Sequence, residues 1–207
     1  MSGIAWLTDE KVRKASALAA RVHWGQRRKG DGTEPYIAHP FRVALCLARA
    51  GLSPEAVAAG LLHDAIEETP RGKRGALRKE LARTVGQRVL DLVEGVTDQD
   101  PEADWYSRKD AYLEHLKIAP REALAVSCAD KLDNTLGLLE VIETQGREGL
   151  KRFNSPIGTK IAYHQAVADV TERRWPDCPI LHAFREALAK LQAVADATES
   201  GKGGEHA

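Results

Sequence analysis

Apolar residues recur at helical spacing along nearly the whole chain. Val12, Ala15, Leu18, Ala19 and Val22 form one stripe, predicting a helix from Thr8 to about Trp24 with Thr8 or Asp9 as its cap. A second helix follows His39-Pro40 and carries Phe41, Val43, Ala44, Leu47 and Ala48 before Gly51 ends it. The residue before a proline avoids the α region, and proline suits the first helical position, so His39 stands at the helix entrance. Ser53-Pro54 opens a third helix through Ala56, Val57, Ala59, Leu61 and Leu62, which runs on to Pro70. Further helices are predicted over about 76–84, 87–94, 106–118, 123–144, 156–171 and 180–197. The longest of these has an apolar face of Leu124, Val126, Leu132, Leu136, Leu139 and Ile142. Alternating β-branched runs are nearly absent, so the fold class is all-α.

The intervening segments are polar. Gln26 to Glu34 is a basic, glycine-rich loop, and Arg71 to Gly75 reads as a basic turn. Val96 to Pro101 is a loop, and Gly146 to Asn154 is a connector. No linker or internal repeat divides the chain. It reads as one domain over residues 1–200, with a disordered tail over 201–207.

A single core in 207 residues can bury roughly 70% of the unfolded chain's surface. The formal net charge is zero. That argues against a broad electrostatic grip on nucleic acid or an anionic membrane. No apolar run approaches the roughly 20 residues that span a bilayer, and no signal peptide is visible. Cys46, Cys128 and Cys178 form no CxxC pair and no disulfide framework, which favours a reducing cytoplasm.

One stretch resists a purely structural reading. Leu61-Leu62-His63-Asp64-Ala65-Ile66-Glu67-Glu68-Thr69 places four ionisable groups in six positions directly after an apolar run. Buried unpaired charge is expensive, and a metal ion is the simplest partner that makes the arrangement favourable. On a continuing helix, His63 and Glu67 share one face and Asp64 and Glu68 another. His63 and Asp64 diverge by about 100° and can straddle one ion at the helix edge. Two more donors stand out: His39 at its helix entrance, and Asp130 inside the most apolar helix, with Asn134 one turn beyond. Two imidazoles and two carboxylates suit Mn²⁺, Fe²⁺ or Zn²⁺. Such an ion lowers the pKa of a water and polarises a phosphoryl oxygen. Glu67 and Glu68 are then the first candidates for orienting the water or moving its proton.

This order of residues resembles the HD phosphohydrolase superfamily, whose signature is H…HD…D on a helical core. Five segments extend the likeness to the hydrolase domain of the RelA/SpoT family: Gln26–Lys29, Pro35–Pro40, Leu62–Thr69, Gly95-Val96-Thr97 and Ala129–Asn134. The order and spacing hold over about residues 10–170, and within these residues no room remains for a synthetase domain. The likeness is thus to the stand-alone small alarmone hydrolases.

The resemblance implies an HD-domain helical bundle of about eight to ten helices. It implies one divalent ion, usually Mn²⁺, on His39, His63, Asp64 and Asp130, with Glu67 and Glu68 as the catalytic acids. Arg28 and Lys29 match the basic residues that meet the base and phosphates, and Asn134 a residue near the nucleoside. The implied reaction removes the 3′-pyrophosphate from (p)ppGpp, giving GDP or GTP and pyrophosphate. The partner is a small nucleotide, with no nucleic acid and no membrane, and with a homodimer as an option for assembly. The same chemistry on (p)ppApp, another nucleotide substrate, or non-catalytic alarmone binding are the alternatives. Two departures bear on these: glutamate at 68 where the family usually has aspartate, and aspartate at 133 in place of histidine or an aromatic residue.

Elsewhere, Arg71–Arg74 is either a solvated turn or a phosphate funnel. Tyr163 and His164 read as helical core. His23, His115, His182 and His206 read as structural or surface groups, and the cysteines as small core residues.

Overall fold

The computed structural model describes residues 5–28, 33–98, 103–153 and 155–200, and among them there are helices and no strands. A four-residue helix α1 (Ala5–Thr8) precedes α2 (Glu10–Val22), whose cap is Asp9: its carboxylate accepts the amides of Lys11 and Val12 at 2.8 and 3.2 Å. Then follow α3 (Ala38–Arg49), α4 (Pro54–Leu62), α5 (Arg71–Val85), α6 (Gln87–Glu94) and α7 (Trp105–Leu116). The long α8 (Arg121–Gln145) leads through a 3-10 helix (Gly146–Arg152) to α9 (Ile157–Arg174) and α10 (Leu181–Ser200). The proposed 201–207 tail lies outside the described residues.

Helix α4 is the hub. Every residue from Ala56 to Leu62 is buried, as expected of a helix apolar on all sides. It packs on α2, α3, α6 and α8. At the α3–α4 crossing a Cβ on Gly60 would lie 2.5 Å from Leu47 Cδ1 and 3.4 Å from the backbone of Ala44. A side chain at 60 would displace Leu47, so Gly60 eases the close approach of α3 to α4, along which His39 on α3 meets His63 just past α4.

The core has two parts. The larger one gathers α2–α7 with the first half of α8 and parts of α9 and α10. The smaller one is built from Leu138, Leu139, Ile142, Ile161, Leu191 and Ala195. Between them, α8 carries the polar stretch Asp130–Asn134.

Three expectations need correction. The third helix stops at Leu62, seven residues before Thr69, and residues 63–68 form successive turns. Arg71–Gly75 is the first part of α5 rather than a turn, because Leu77, Leu81 and Val85 bury one face of that helix despite Gly72 and Gly75. Leu136 is 49% exposed and belongs to no core face. No described helix is long and apolar enough to cross a membrane.

Candidate metal centre and adjoining cleft

The turn after α4 has an identifiable cause. In a continuing helix the Gly60 carbonyl would accept the amide of Asp64. Instead it accepts from the His63 ring, at 2.8 Å from Nδ1. The backbone tightens, with the Ala65 amide donating to Leu62 O at 2.9 Å. Downstream, the Arg74 guanidinium donates to the carbonyls of Glu67 and Thr69 at 2.7 and 2.9 Å and ties off the exit. Arg74 therefore holds the turn, and the phosphate-funnel alternative does not apply to it. The stretch as a whole leaves the helix, but the Glu68 amide still donates to Asp64 O at 3.0 Å, so that pair keeps its helical spacing.

Because a carbonyl only accepts, His63 Nδ1 carries the hydrogen and Nε2 faces inward with its lone pair. His39 repeats this device: its Nδ1 lies 2.7 Å from Asp133 Oδ2, which leaves Nε2 inward. The two Nε2 atoms are 3.1 Å apart. Asp130 Oδ1 lies 3.1 Å from His39 Nε2 and 3.7 Å from His63 Nε2. Asp64 Oδ2 lies 3.2 Å from His63 Nε2 and 3.6 Å from His39 Nε2. Donor atoms of His39, His63 and Asp130 all fall within 4.8 Å of one another, and all three residues are buried. Lone pairs and carboxylates crowded this closely repel unless positive charge sits among them.

The titration behaviour has the same origin. Burial works against a charge on His63, but the Asp64 and Asp130 carboxylates reverse this and hold its ring protonated well above 6.5 in the metal-free protein. Since Nδ1 is committed to Gly60, the added proton sits on Nε2. A divalent ion and that proton compete for one lone pair. Burial likewise works against the Asp64 and Asp130 carboxylates. His63 overrides it for Asp64, and Lys131 with both imidazoles for Asp130, holding each below the usual carboxylate range. The donor atoms of His39, His63 and Asp130 could together hold a divalent ion, with Asp64 Oδ2 beside them.

Asp133 touches the candidate centre through His39, a contact its residue type alone did not reveal. Besides His39, it holds Arg42, whose Nε lies 2.6 Å from Oδ1. Both oxygens are engaged, so its side chain ties the His39 ring to Arg42. The available signal was its position three residues after Asp130, on the same side of α8. An Asp133→Ala protein is expected to bind a divalent ion about 10- to 100-fold more weakly, as loss of a ligand's orienting partner commonly does; titration calorimetry reads this directly.

Glu67 accepts the Asp98 amide at 2.7 Å. Burial, with the charges of Asp64 and Asp98 adding, raises its carboxyl to about 7. Glu68 is exposed, and its charge reaches the Tyr36 hydroxyl. Between the ordinary value of 4.5 and about 7, folded Glu67 keeps a proton that the unfolded chain has lost. Its contribution to stability is whole below the lower value and is lost as pH rises through the upper one. The Glu67→Gln protein, metal-free, is therefore expected to lose less stability than wild type from about pH 5 to about pH 8, by on the order of 1–3 kcal/mol. Parallel thermal melts across that range measure the difference.

Beside the centre lies a cleft of about 600 Å³. Arg28, Arg42, Lys109, Lys131, Arg152 and Lys160 line it, with Trp105 and Tyr163 among its aromatic walls. Asn134 joins cleft to centre: its Nδ2 donates to Asp130 at 2.5 Å, and its Oδ1 accepts from Arg28 at 2.9 Å. Lys131 pairs with Asp130. The backbone on either side of Arg28 is fixed by two bonds, its own amide donating to Glu34 O and the Tyr36 amide to Gln26 O, both at 3.0 Å. Lys29 lies outside the described residues. His164, read as core, is buried, and burial with Lys131 pushes it down to about 3. It meets Thr135 at 2.8 Å and also lines the cleft. His23 is buried rather than at the surface.

The model of the HD domain matches residues 15–152. The chain is 31% identical over 173 residues to the bifunctional (p)ppGpp synthase/hydrolase SpoT of Escherichia coli K12, covering 79% of this chain and 23% of that protein. It is 32% identical over 186 residues to a guanosine-3′,5′-bis(diphosphate) 3′-pyrophosphohydrolase of Aquifex aeolicus, covering 88% of this chain and 25% of that one. The chain thus spans about a quarter of the length of these relatives. The solved structure of a metazoan orthologue of SpoT that hydrolyses ppGpp superposes with a TM-score of 0.70 at 25% identity, over 88% of this chain and 96% of its own. With the all-helical fold and the His39, His63 and Asp130 cluster already in place, this chain belongs to the HD domain family, in its RelA/SpoT branch.

Proposed function

We propose that this protein is a metal-dependent hydrolase that removes the 3′-pyrophosphate from (p)ppGpp, giving GDP or GTP and pyrophosphate. The observation that carries the reading is the convergence of His39, His63 and Asp130, with Asp64 beside them, at the edge of a cleft lined by six cationic side chains. The activities for which the relatives are named support this substrate class. The ion is best read as Mn²⁺, with Zn²⁺ and Fe²⁺ as alternatives, on His39, His63, Asp64 and Asp130. A bound ion would supply an activated water and polarise a phosphoryl oxygen.

The chain's own groups divide the remaining work. Glu67, poised near neutral pH, accepts the proton of the attacking water, and Glu68 stands as its partner acid. Arg28, with Lys29, Lys109 and Lys131 nearby in sequence or space, holds phosphate oxygens and spreads their charge. Asn134 keeps Arg28 in register with Asp130 and faces the nucleoside. We read residues 1–200 as one hydrolase domain working in the cytoplasm, as a monomer or homodimer. The balance of 30 basic and 30 acidic residues supports a small-molecule rather than a nucleic-acid partner.

A substrate panel with ppGpp, pppGpp, ppApp and nucleoside monophosphates, each with Mn²⁺ and with chelator, tests the reading. The expected result is pyrophosphate release from the guanosine alarmones that chelator stops. Faster turnover of monophosphates would overturn it, and faster turnover of ppApp would reassign the base.

A further inference from the structure

Four rings run in a column toward the metal centre. His23 stacks on Tyr36, with centroids 4.9 Å apart and planes 24° apart. Tyr36 meets His39 edge-on at 6.2 Å, and His39 meets His63 edge-on at 4.9 Å. The outer two rings belong to no ligand set, yet they are firmly placed. Gln26 binds both: its side-chain oxygen lies 2.8 Å from His23 Nδ1, and its carbonyl accepts the Tyr36 amide at 3.0 Å. The His23 ring is 2% exposed, and its Nε2 is buried without a hydrogen-bond partner. A buried acceptor left unpaired costs stability. Its presence is accounted for by what the ring face does, which is to carry Tyr36.

The Tyr36 hydroxyl lies 2.6 Å from Asp64 Oδ2. That same oxygen faces both imidazoles, at 3.2 and 3.6 Å from their Nε2 atoms. We propose that Tyr36, seated on His23, is a positioning residue for the metal centre, fixing the rotation of the Asp64 carboxylate so that Oδ2 meets the two imidazole nitrogens. The inference rests on the metal-site reading above. Asp64 needs such a partner more than Asp130 does. Asp130 is fixed within α8 by Lys131 and Asn134, whereas Asp64 stands on a turn beyond the end of α4. A carboxylate oxygen accepts, so the Tyr36 hydroxyl is the donor in this bond.

The test uses the full chain and three variants: Tyr36→Phe, His23→Ala and His23→Phe. For each, the Mn²⁺ dissociation constant is measured by calorimetry, and the unfolding temperature with and without saturating Mn²⁺. Tyr36→Phe is expected to weaken Mn²⁺ binding by about 10- to 100-fold, in line with loss of an outer-shell partner, and to shrink the rise in unfolding temperature that Mn²⁺ gives. His23→Ala should reproduce that loss, and His23→Phe, which keeps a stacking ring, should restore most of it. An unchanged Mn²⁺ constant in Tyr36→Phe overturns the inference. So does a variant set in which the metal-free unfolding temperature falls while the Mn²⁺-induced rise stays at the wild-type value. Failure of the wild-type protein to bind Mn²⁺ overturns the metal-site reading itself, and the inference with it.

Discussion

An Asp64→Ala protein is expected to release no measurable pyrophosphate from ppGpp. The carboxylate removed lies within 3.2 and 3.6 Å of the two inward nitrogens. Without it, His63 loses the first of the charges that favour its protonation, and the site loses a quarter of its donor set. The ion's contribution to a phosphoryl transfer is several kcal/mol, so a vacated site corresponds to a fall on the order of 10³-fold or more. The fold itself should survive, because Asp64 sits on a surface-reaching turn and Ala65 and Ile66 provide the burial there. Calorimetry with Mn²⁺, circular dichroism and a discontinuous pyrophosphate assay on the same preparation separate the three effects. Retained turnover with retained metal would remove Asp64 from the ligand set.

Glu67→Gln should behave differently, keeping the ion while losing the rate. The amide oxygen of glutamine can still accept the Asp98 N–H that now reaches Glu67 Oε1 at 2.7 Å, so the loop before α7 stays anchored. What disappears is a carboxyl placed by burial near pH 7, where a general base is most effective. A loss of kcat by about 10²- to 10⁴-fold is expected, with KM and the Mn²⁺ constant close to wild type. Steady-state kinetics on ppGpp decide the matter. A raised KM at unchanged kcat would make Glu67 a binding group instead.

Much of this site was legible in the chain because its donors are marked by helix punctuation. His39 precedes a proline, His63-Asp64 follows a saturated apolar run, and Asp130 interrupts another. The structure brings these together as the motif order implied. The break after Leu62 was not legible, since it comes from a side chain competing for a backbone carbonyl, and the apolar run of α4 gives no warning of it. The contact of Asp133 with His39 was not legible either, because it joins α8 to α3 across residues far apart in the chain. The helical state of Arg71–Gly75 was hidden by two glycines whose low propensity is overridden by burial of Leu77 and Leu81. Leu136 fits the apolar period of α8 but falls where the helix turns its side to the cleft. The order of the longer helices, by contrast, followed from periodicity alone, with ends displaced by one to three residues at most of them, whereas the short α1 and the 3-10 helix over Gly146–Arg152 were not foreseen.

The central claim is that one divalent ion in this centre serves the hydrolysis of a 3′-pyrophosphate. The most direct test is to strip the protein with chelator, reload it with one equivalent of Mn²⁺, and follow ppGpp by anion-exchange chromatography. The account predicts conversion to GDP and pyrophosphate in equal amounts, absent before reloading. Intact ppGpp after reloading to full occupancy, or products cut at the 5′ side, would contradict it.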